Sequence, residues 1–145
     1  MATTKDLKTP TLKWLEVWCN EKNVEEGLKL IHPSMTMTHD DGPTRDRETY
    51  VAFWKYLIAS VAPNFKYKAI DAVQDGRKVW VYARITGLPG GEAKDSVDMF
   101  EWDEQGEKML KAKDVQRTVQ KWGGSLVWHE DGGKLQVLER WNCDH

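Results

Sequence analysis

The chain has 145 residues, the usual size of one domain, and at that length roughly 68–70% of the unfolded chain's surface can be buried without metal or disulfide staples. Apolar residues make up 40% and charged residues 30%, which excludes a disordered protein. The net charge of −2, from 21 basic and 23 acidic residues without a basic run, argues against a nucleic-acid or membrane surface, and no stretch approaches the ~20 consecutive apolar residues of a bilayer span.

Residues 1–10 are polar and lack the apolar run of a secretory signal, so a cytoplasmic protein is expected. Leu12, Leu15 and Trp18 or Cys19 recur at helical spacing, with Lys13, Glu16 and Asn20 opposite. They predict a first helix that Thr9 or Thr11 can cap and whose first turn accepts Pro10. Residues 20–23 break the pattern. Residues 24–31 read as a second short helix, stopped at His32-Pro33 because a residue before proline resists helical backbone. Met35, Met37 and His39 alternate with Thr36 and Thr38 as in a short strand, and Asp40-Asp41-Gly42-Pro43 is a turn. Asp46 then caps a third helix, with Tyr50, Phe53, Trp54, Leu57, Ile58 and Val61 along one face and Pro63 at its end.

From residue 65 the period is two. Residues 65–73 form a strand, Gln74-Asp75-Gly76-Arg77 a hairpin turn, and residues 78–87 the next strand. On the latter, Trp80, Tyr82, Arg84 and Thr86 share one face and Val79, Val81, Ala83 and Ile85 the other, so neither face is expected to be simply solvated. A loop at Leu88-Pro89-Gly90-Gly91 leads to strands at 96–102 and 107–120, joined by a turn at Asp103-Glu104-Gln105-Gly106. A final hairpin pairs 126–129 with 135–141 around Asp131-Gly132-Gly133. Helices first and strands later predict an α+β fold, a single domain over 1–145 with three N-terminal helices covering one face of a curved antiparallel sheet.

Two features of composition bear on chemistry. The two cysteines, Cys19 and Cys143, lie far apart with no metal-like spacing and read as free thiols in a reducing compartment. Eight tryptophans are many for this length, and they serve either as packing or as the wall of a pocket for a flat ligand.

The run Thr44-Arg45-Asp46-Arg47-Glu48-Thr49-Tyr50-Val51-Ala52-Phe53-Trp54, followed by Ala62-Pro63-Asn64-Phe65, resembles the third-helix pattern of the SnoaL-like branch of the NTF2-like superfamily. The segment from Ser96 to Lys108, a strand carrying Asp98 and Phe100 followed by a turn, resembles its second hallmark. The resemblance covers about residues 10–120 and implies a cone-shaped NTF2-like domain, with residues 121–145 as an extension. The family includes polyketide cyclases, ketosteroid isomerases, limonene-type epoxide hydrolases, scytalone dehydratase and fungal meroterpenoid isomerases, besides non-catalytic binding and dimerisation domains. Its enzymes share a deep apolar cone, a few ionisable groups inside and no cofactor. Members commonly pair through the outer face of the sheet, where Lys66, Lys68 and Ile70 fall here, so a homodimer is implied.

Alternation places Ser96, Asp98, Phe100 and Trp102 on one strand face and Leu110, Ala112, Asp114 and Gln116 on one face of the next. A buried carboxylate without a partner is costly, so Asp98 and Asp114 are either paired or functional. The structural alternatives pair Asp98 with Arg84 or Lys113, and Asp114 with Arg117 or Lys111. By resemblance, Asp98 matches the strand Asp that is catalytic in several members, and Asp114 the second Asp of the limonene-type hydrolases. The Arg of that relay is replaced by Ser96, with Arg84 on the neighbouring strand as a substitute. His39 ends the strand that the resemblance points into the cone mouth. Its ordinary pKa suits proton transfer at neutral pH, with Asp40 or Asp41 to orient it, unless this run is only a polar turn. Tyr50 and Tyr67 are expected to donate a hydrogen bond to a developing enolate, and Trp14, Trp18, Trp54 and Phe100 to wall the cavity. No phosphate loop, nucleophile elbow or zinc spacing occurs. The expected activity is a cofactor-independent isomerase or cyclase using general acid–base catalysis on a small apolar polycyclic natural product of polyketide or terpenoid type. An epoxide hydrolase or dehydratase on the same scaffold, or a non-catalytic hydrophobic-ligand-binding or dimerisation module, are the alternatives.

Overall fold

The computed structural model describes residues 5–119, together with the backbone of two short strands at 126–129 and 134–137. Asp6 opens the first helix, α1 (Lys8–Leu15): its Oδ1 accepts from the backbone N–H groups of Lys8 (3.0 Å) and Thr9 (3.2 Å). The threonines are therefore not the cap. Thr11 is instead fully buried, donating to the Leu7 carbonyl (2.6 Å) and accepting from the Trp102 indole (2.9 Å), which ties the helix to the sheet. The helix widens into a π turn over Glu16–Asn20 that carries Trp18 and Cys19 into the core.

The second helix, α2 (Val24–Leu28), is capped by Asn23 and ends three residues earlier than the proline predicts. Strand β1 (Ile31–His39) already begins at Ile31 and runs through Pro33. Its pairing register breaks between Ile31 and Thr36, so the missing proline N–H costs no ladder hydrogen bond. A three-residue strand that the pattern did not announce, β2 (Thr44–Asp46), pairs antiparallel with β1, Arg45 opposite Met37.

Asp46 then caps α3 (Arg47–Tyr56) as expected, accepting from the Thr49 N–H at 2.8 Å, a contact worth ~1 kcal/mol. The helix also ends in a π turn, Leu57–Val61. Tyr50 and Trp54 are buried and Leu57 and Ile58 partly so, while Phe53 and Val61 are more exposed and Val51 takes a buried place.

Strands β3 (Lys66–Asp75), β4 (Lys78–Thr86), β5 (Lys94–Trp102) and β6 (Met109–Thr118) follow as a meander. The six-stranded sheet has the order β2-β1-β6-β5-β4-β3 and is antiparallel except where β1 runs parallel to β6. Its inner face, under the helices, carries Val79, Val81, Ala83 and Ile85 from β4 and Ser96, Asp98, Phe100 and Trp102 from β5, all buried. Among the described residues nothing covers the outer face: Trp80 and Tyr82 are exposed, against the expectation for β4. The β5–β6 register shifts between Glu101 and Trp102 of β5, which face Lys111 and Met109 of β6, and Met109, rather than Leu110, is buried.

Strands β7 (Leu126–His129) and β8 (Lys134–Val137) pair antiparallel as the anticipated C-terminal hairpin; its turn at 131–133 and the continuation to residue 141 lie outside the described residues. No helix among the described residues is long and apolar enough to cross a membrane.

Candidate functional site

Between the helices and the inner sheet face lies a cavity of about 220 Å³. Its apolar wall is an aromatic stack. Trp18 lies between Trp14 (centroids 5.2 Å apart) and Trp54 (5.8 Å), while Phe100 meets Trp14 edge-on and Phe65 meets Trp54 edge-on. The stack is locked from behind. The Trp14 indole donates to the Gly27 carbonyl (3.0 Å), and a Cβ at Gly27 would stand 2.3 Å from the Trp18 ring, so only glycine fits there. The Trp18 indole donates to the Tyr50 hydroxyl (3.0 Å). The tryptophans line the cavity without filling it.

One row across the sheet supplies the ionisable groups. In register, His39 on β1 faces Asp114 on β6, which faces Asp98 on β5. All three line the cavity. Asp98 is 7% exposed, and its Oδ2 accepts from the Tyr67 hydroxyl (2.7 Å) and the Ser96 hydroxyl (2.9 Å). Burial pushes its pKa up to about 7; the Tyr67 bond works against that, and the Asp114 charge works with it. The Tyr67 hydroxyl is pushed up by burial and by the adjoining Asp98 charge, and its proton is committed to that carboxylate rather than free for a substrate oxygen. Burial likewise raises Tyr50.

His39 reaches Asp114 Oδ1 through Nδ1 at 2.5 Å and lies 3.2 Å from Asp40 Oδ2 through Nε2. The hydrogen bond to Asp114 raises its pKa, as do the charges of Asp114 and Asp40, against burial and Lys94. The orienting partner anticipated in Asp40 is present, but the stronger one is Asp114, and neither Arg117 nor Lys111 pairs with it. His39, Asp40 and Asp114 bring ligand atoms within 4.8 Å of one another, although the short His39–Asp114 contact is a hydrogen bond that occupies two of the three groups.

Nine of the ten anticipated site residues therefore meet in one cavity: Trp14, Trp18, His39, Tyr50, Trp54, Tyr67, Asp98, Phe100 and Asp114. Arg84 does not. It stands on the outer face of β4 opposite Asp95, to which its Nε donates at 2.7 Å, so it neither pairs with Asp98 nor completes a relay with it. Sequence reading missed Arg45 and Lys94 among the lining residues. Lys94 continues the alternation of Ser96, Asp98 and Phe100 two residues back, a signal that was available. Arg45 sits on the three-residue β2, too short to carry a period.

A SnoaL-like domain model matches residues 12–132. Among curated proteins, the chain is 31% identical over 118 residues to the protein named "Probable cyclase otaY" of Aspergillus carbonarius, covering 81% of this chain and 94% of that one. To its namesake in Aspergillus niger it is 28% identical over 114 residues, covering 79% and 94%. Among solved structures, AusH from Aspergillus nidulans superposes with a TM-score of 0.67 at 19% identity, covering 79% of this chain and 86% of that one, a likeness of fold.

Proposed function

The chain belongs to the SnoaL-like domain family, and on that footing we propose that it is an isomerase or cyclase that works by general acid–base catalysis, without a cofactor, on an apolar polycyclic natural product of polyketide or terpenoid type. The relatives named as cyclases support the reaction class. The observation that carries the mechanism is Asp98, a carboxylate buried against an aromatic cavity, with a pKa moved to about 7, where it can both take and return a proton.

In this reading Asp98 removes a proton from a carbon next to a substrate carbonyl. Desolvation makes its carboxylate a stronger base than an exposed aspartate, and the Tyr67 and Ser96 hydrogen bonds hold it in one orientation. His39, kept protonated by Asp114, donates toward the oxygen on which charge develops. Half-exposed Asp40 yields Nε2 to that oxygen. The enolate carbon then either attacks a second carbonyl, closing a ring while His39 protonates the new alkoxide, or is reprotonated elsewhere by Asp98. The tryptophan stack fixes the conformer that reacts. Arg84, the substitute expected for the arginine of the hydrolase relay, lies outside the cavity and pairs with Asp95.

Asp98→Asn keeps the size and an acceptor oxygen for Tyr67 and Ser96, and it should abolish turnover of a polyketide- and terpenoid-type panel while the far-UV circular dichroism stays unchanged. An active Asp98→Asn overturns this assignment. We further propose that the protein works as a homodimer through the outer sheet face, where Ile70, Val73, Trp80, Tyr82, Val97 and Val115 are exposed.

A further inference from the structure

The cavity's polar groups divide unevenly. Both carboxylates are held by internal donors, Asp98 by Tyr67 and Ser96 and Asp114 by His39. The cations that line the cavity are not matched in the same way. Among the described residues, neither Arg45 nor Lys94 has a carboxylate within ion-pair distance. The Arg45 guanidinium is held over the Phe53 ring, 4.5 Å from its centroid, which fixes its position without neutralising it. Deeper in, the Trp54 indole N–H is buried and, among the described residues, without a hydrogen-bond partner, although the Trp14, Trp18 and Trp102 indoles each have one. A buried donor left unsatisfied costs free energy unless a ligand fills it.

Among the described residues, what the cavity leaves unspent is thus donor capacity: two cations, both partly buried, and one N–H in the aromatic wall. Resting on the reading of this cone as a substrate site, we propose that the substrate is a flat apolar molecule carrying an acidic group. Its carboxylate is bound by Arg45 and Lys94, its rings lie against Trp14, Trp18 and Trp54, and a ring oxygen accepts from the Trp54 N–H. The chain as a whole is acidic, net −2, so it does not attract anions in general; a preference for one must come from these two side chains.

The test compares 2-naphthoate with the neutral 2-naphthalenemethanol, of the same ring system, by tryptophan-fluorescence quenching and calorimetry on the full chain. The wild type should bind the carboxylate roughly tenfold or more tightly than the alcohol at low salt, and the gap should narrow as salt is added. In R45Q/K94Q the gap should close while affinity for the alcohol stays within about twofold. Trp54→Phe should weaken 6-hydroxy-2-naphthoate, whose ring oxygen can accept from the indole N–H, more than 2-naphthoate, which has no ring oxygen. Equal affinities in the wild type, a preference that salt does not move, a preference that survives R45Q/K94Q, or no binding of either probe would each overturn the proposal. The wild-type salt series stands even if the double variant does not fold. Because binding is read without turnover, losing the carboxylate preference leaves the chemistry assigned to Asp98 standing, and an active Asp98→Asn leaves the carboxylate site standing.

Discussion

Asp98 and Asp114 stand directly opposite each other on β5 and β6, both buried, with His39 in register on the far side of Asp114. Like charges facing across a ladder repel, and here the repulsion is relieved on one side only: Asp114 takes His39, while Asp98 is left with the neutral donors Tyr67 and Ser96. The two carboxylates therefore take different tasks, one orienting a histidine and one holding a pKa near neutrality.

The raised pKa of Asp98 has a stability cost with a definite sign. Its folded value, about 7, lies above the unfolded 3.8, so the folded protein holds the proton more tightly. This favours folding fully below pH ~4 and is lost as pH rises through about 7. Asp98→Asn removes the penalty. It should be more stable than the wild type at pH 8, by an amount on the order of 2–4 kcal/mol, and the difference should vanish near pH 4 in urea denaturation.

Tyr67→Phe deletes a hydrogen bond to the ionised form of Asp98. The Asp98 pKa should rise further, moving the acidic limb of the pH–rate profile upward, and stability should fall by ~1 kcal/mol. An unchanged acidic limb would detach that limb from Asp98.

His39→Ala should lower kcat by ~10²–10⁴ with a smaller effect on KM, because its proton is needed in the transition state. The hydrogen bond to Asp114 raises the His39 pKa, so the pair's contribution is complete below the ordinary histidine value of 6.5 and is lost as pH climbs through the raised one. Asp114→Asn should accordingly bring the alkaline limb of the rate profile to lower pH.

Gly27→Ala tests the aromatic wall. The added methyl meets the Trp18 ring, and the stack must shift. A loss of ~1–3 kcal/mol and a changed near-UV circular dichroism spectrum are expected. A neutral substitution would mean that the stack is looser than its 5.2 Å and 5.8 Å spacings imply.

For the outer face, Val97 and Val115 are cross-strand partners and both exposed. Sedimentation should report a dimer for the wild type and a monomer for Val97→Glu. A monomeric wild type would contradict the pairing.

Much of the site was legible because strand alternation is rigid. Once Phe100 and Trp102 are inward, Asp98 must be, and the same parity places Asp114. Arg84 failed for a related reason. Parity within β4 sets it beside Tyr82, but only the register between strands shows that Val81, not Arg84, lies across from Asp98. The second helix was overextended because Pro33 was read as a helix stop, whereas it lies within β1 at a register break. β2 was invisible because three residues carry no period, and with it Arg45 was missed.

The central claim is that the Asp98 carboxyl exchanges its proton near neutrality inside the cavity. The direct measurement is a ¹³C-carboxyl NMR titration of the protein labelled at aspartate, with Asp98→Asn to assign the resonance. A midpoint near 7, rising in Tyr67→Phe, is the result predicted. A midpoint close to the ordinary 3.8 would contradict the account, for Asp98 would then be too weak a base to take a proton from carbon in that pocket.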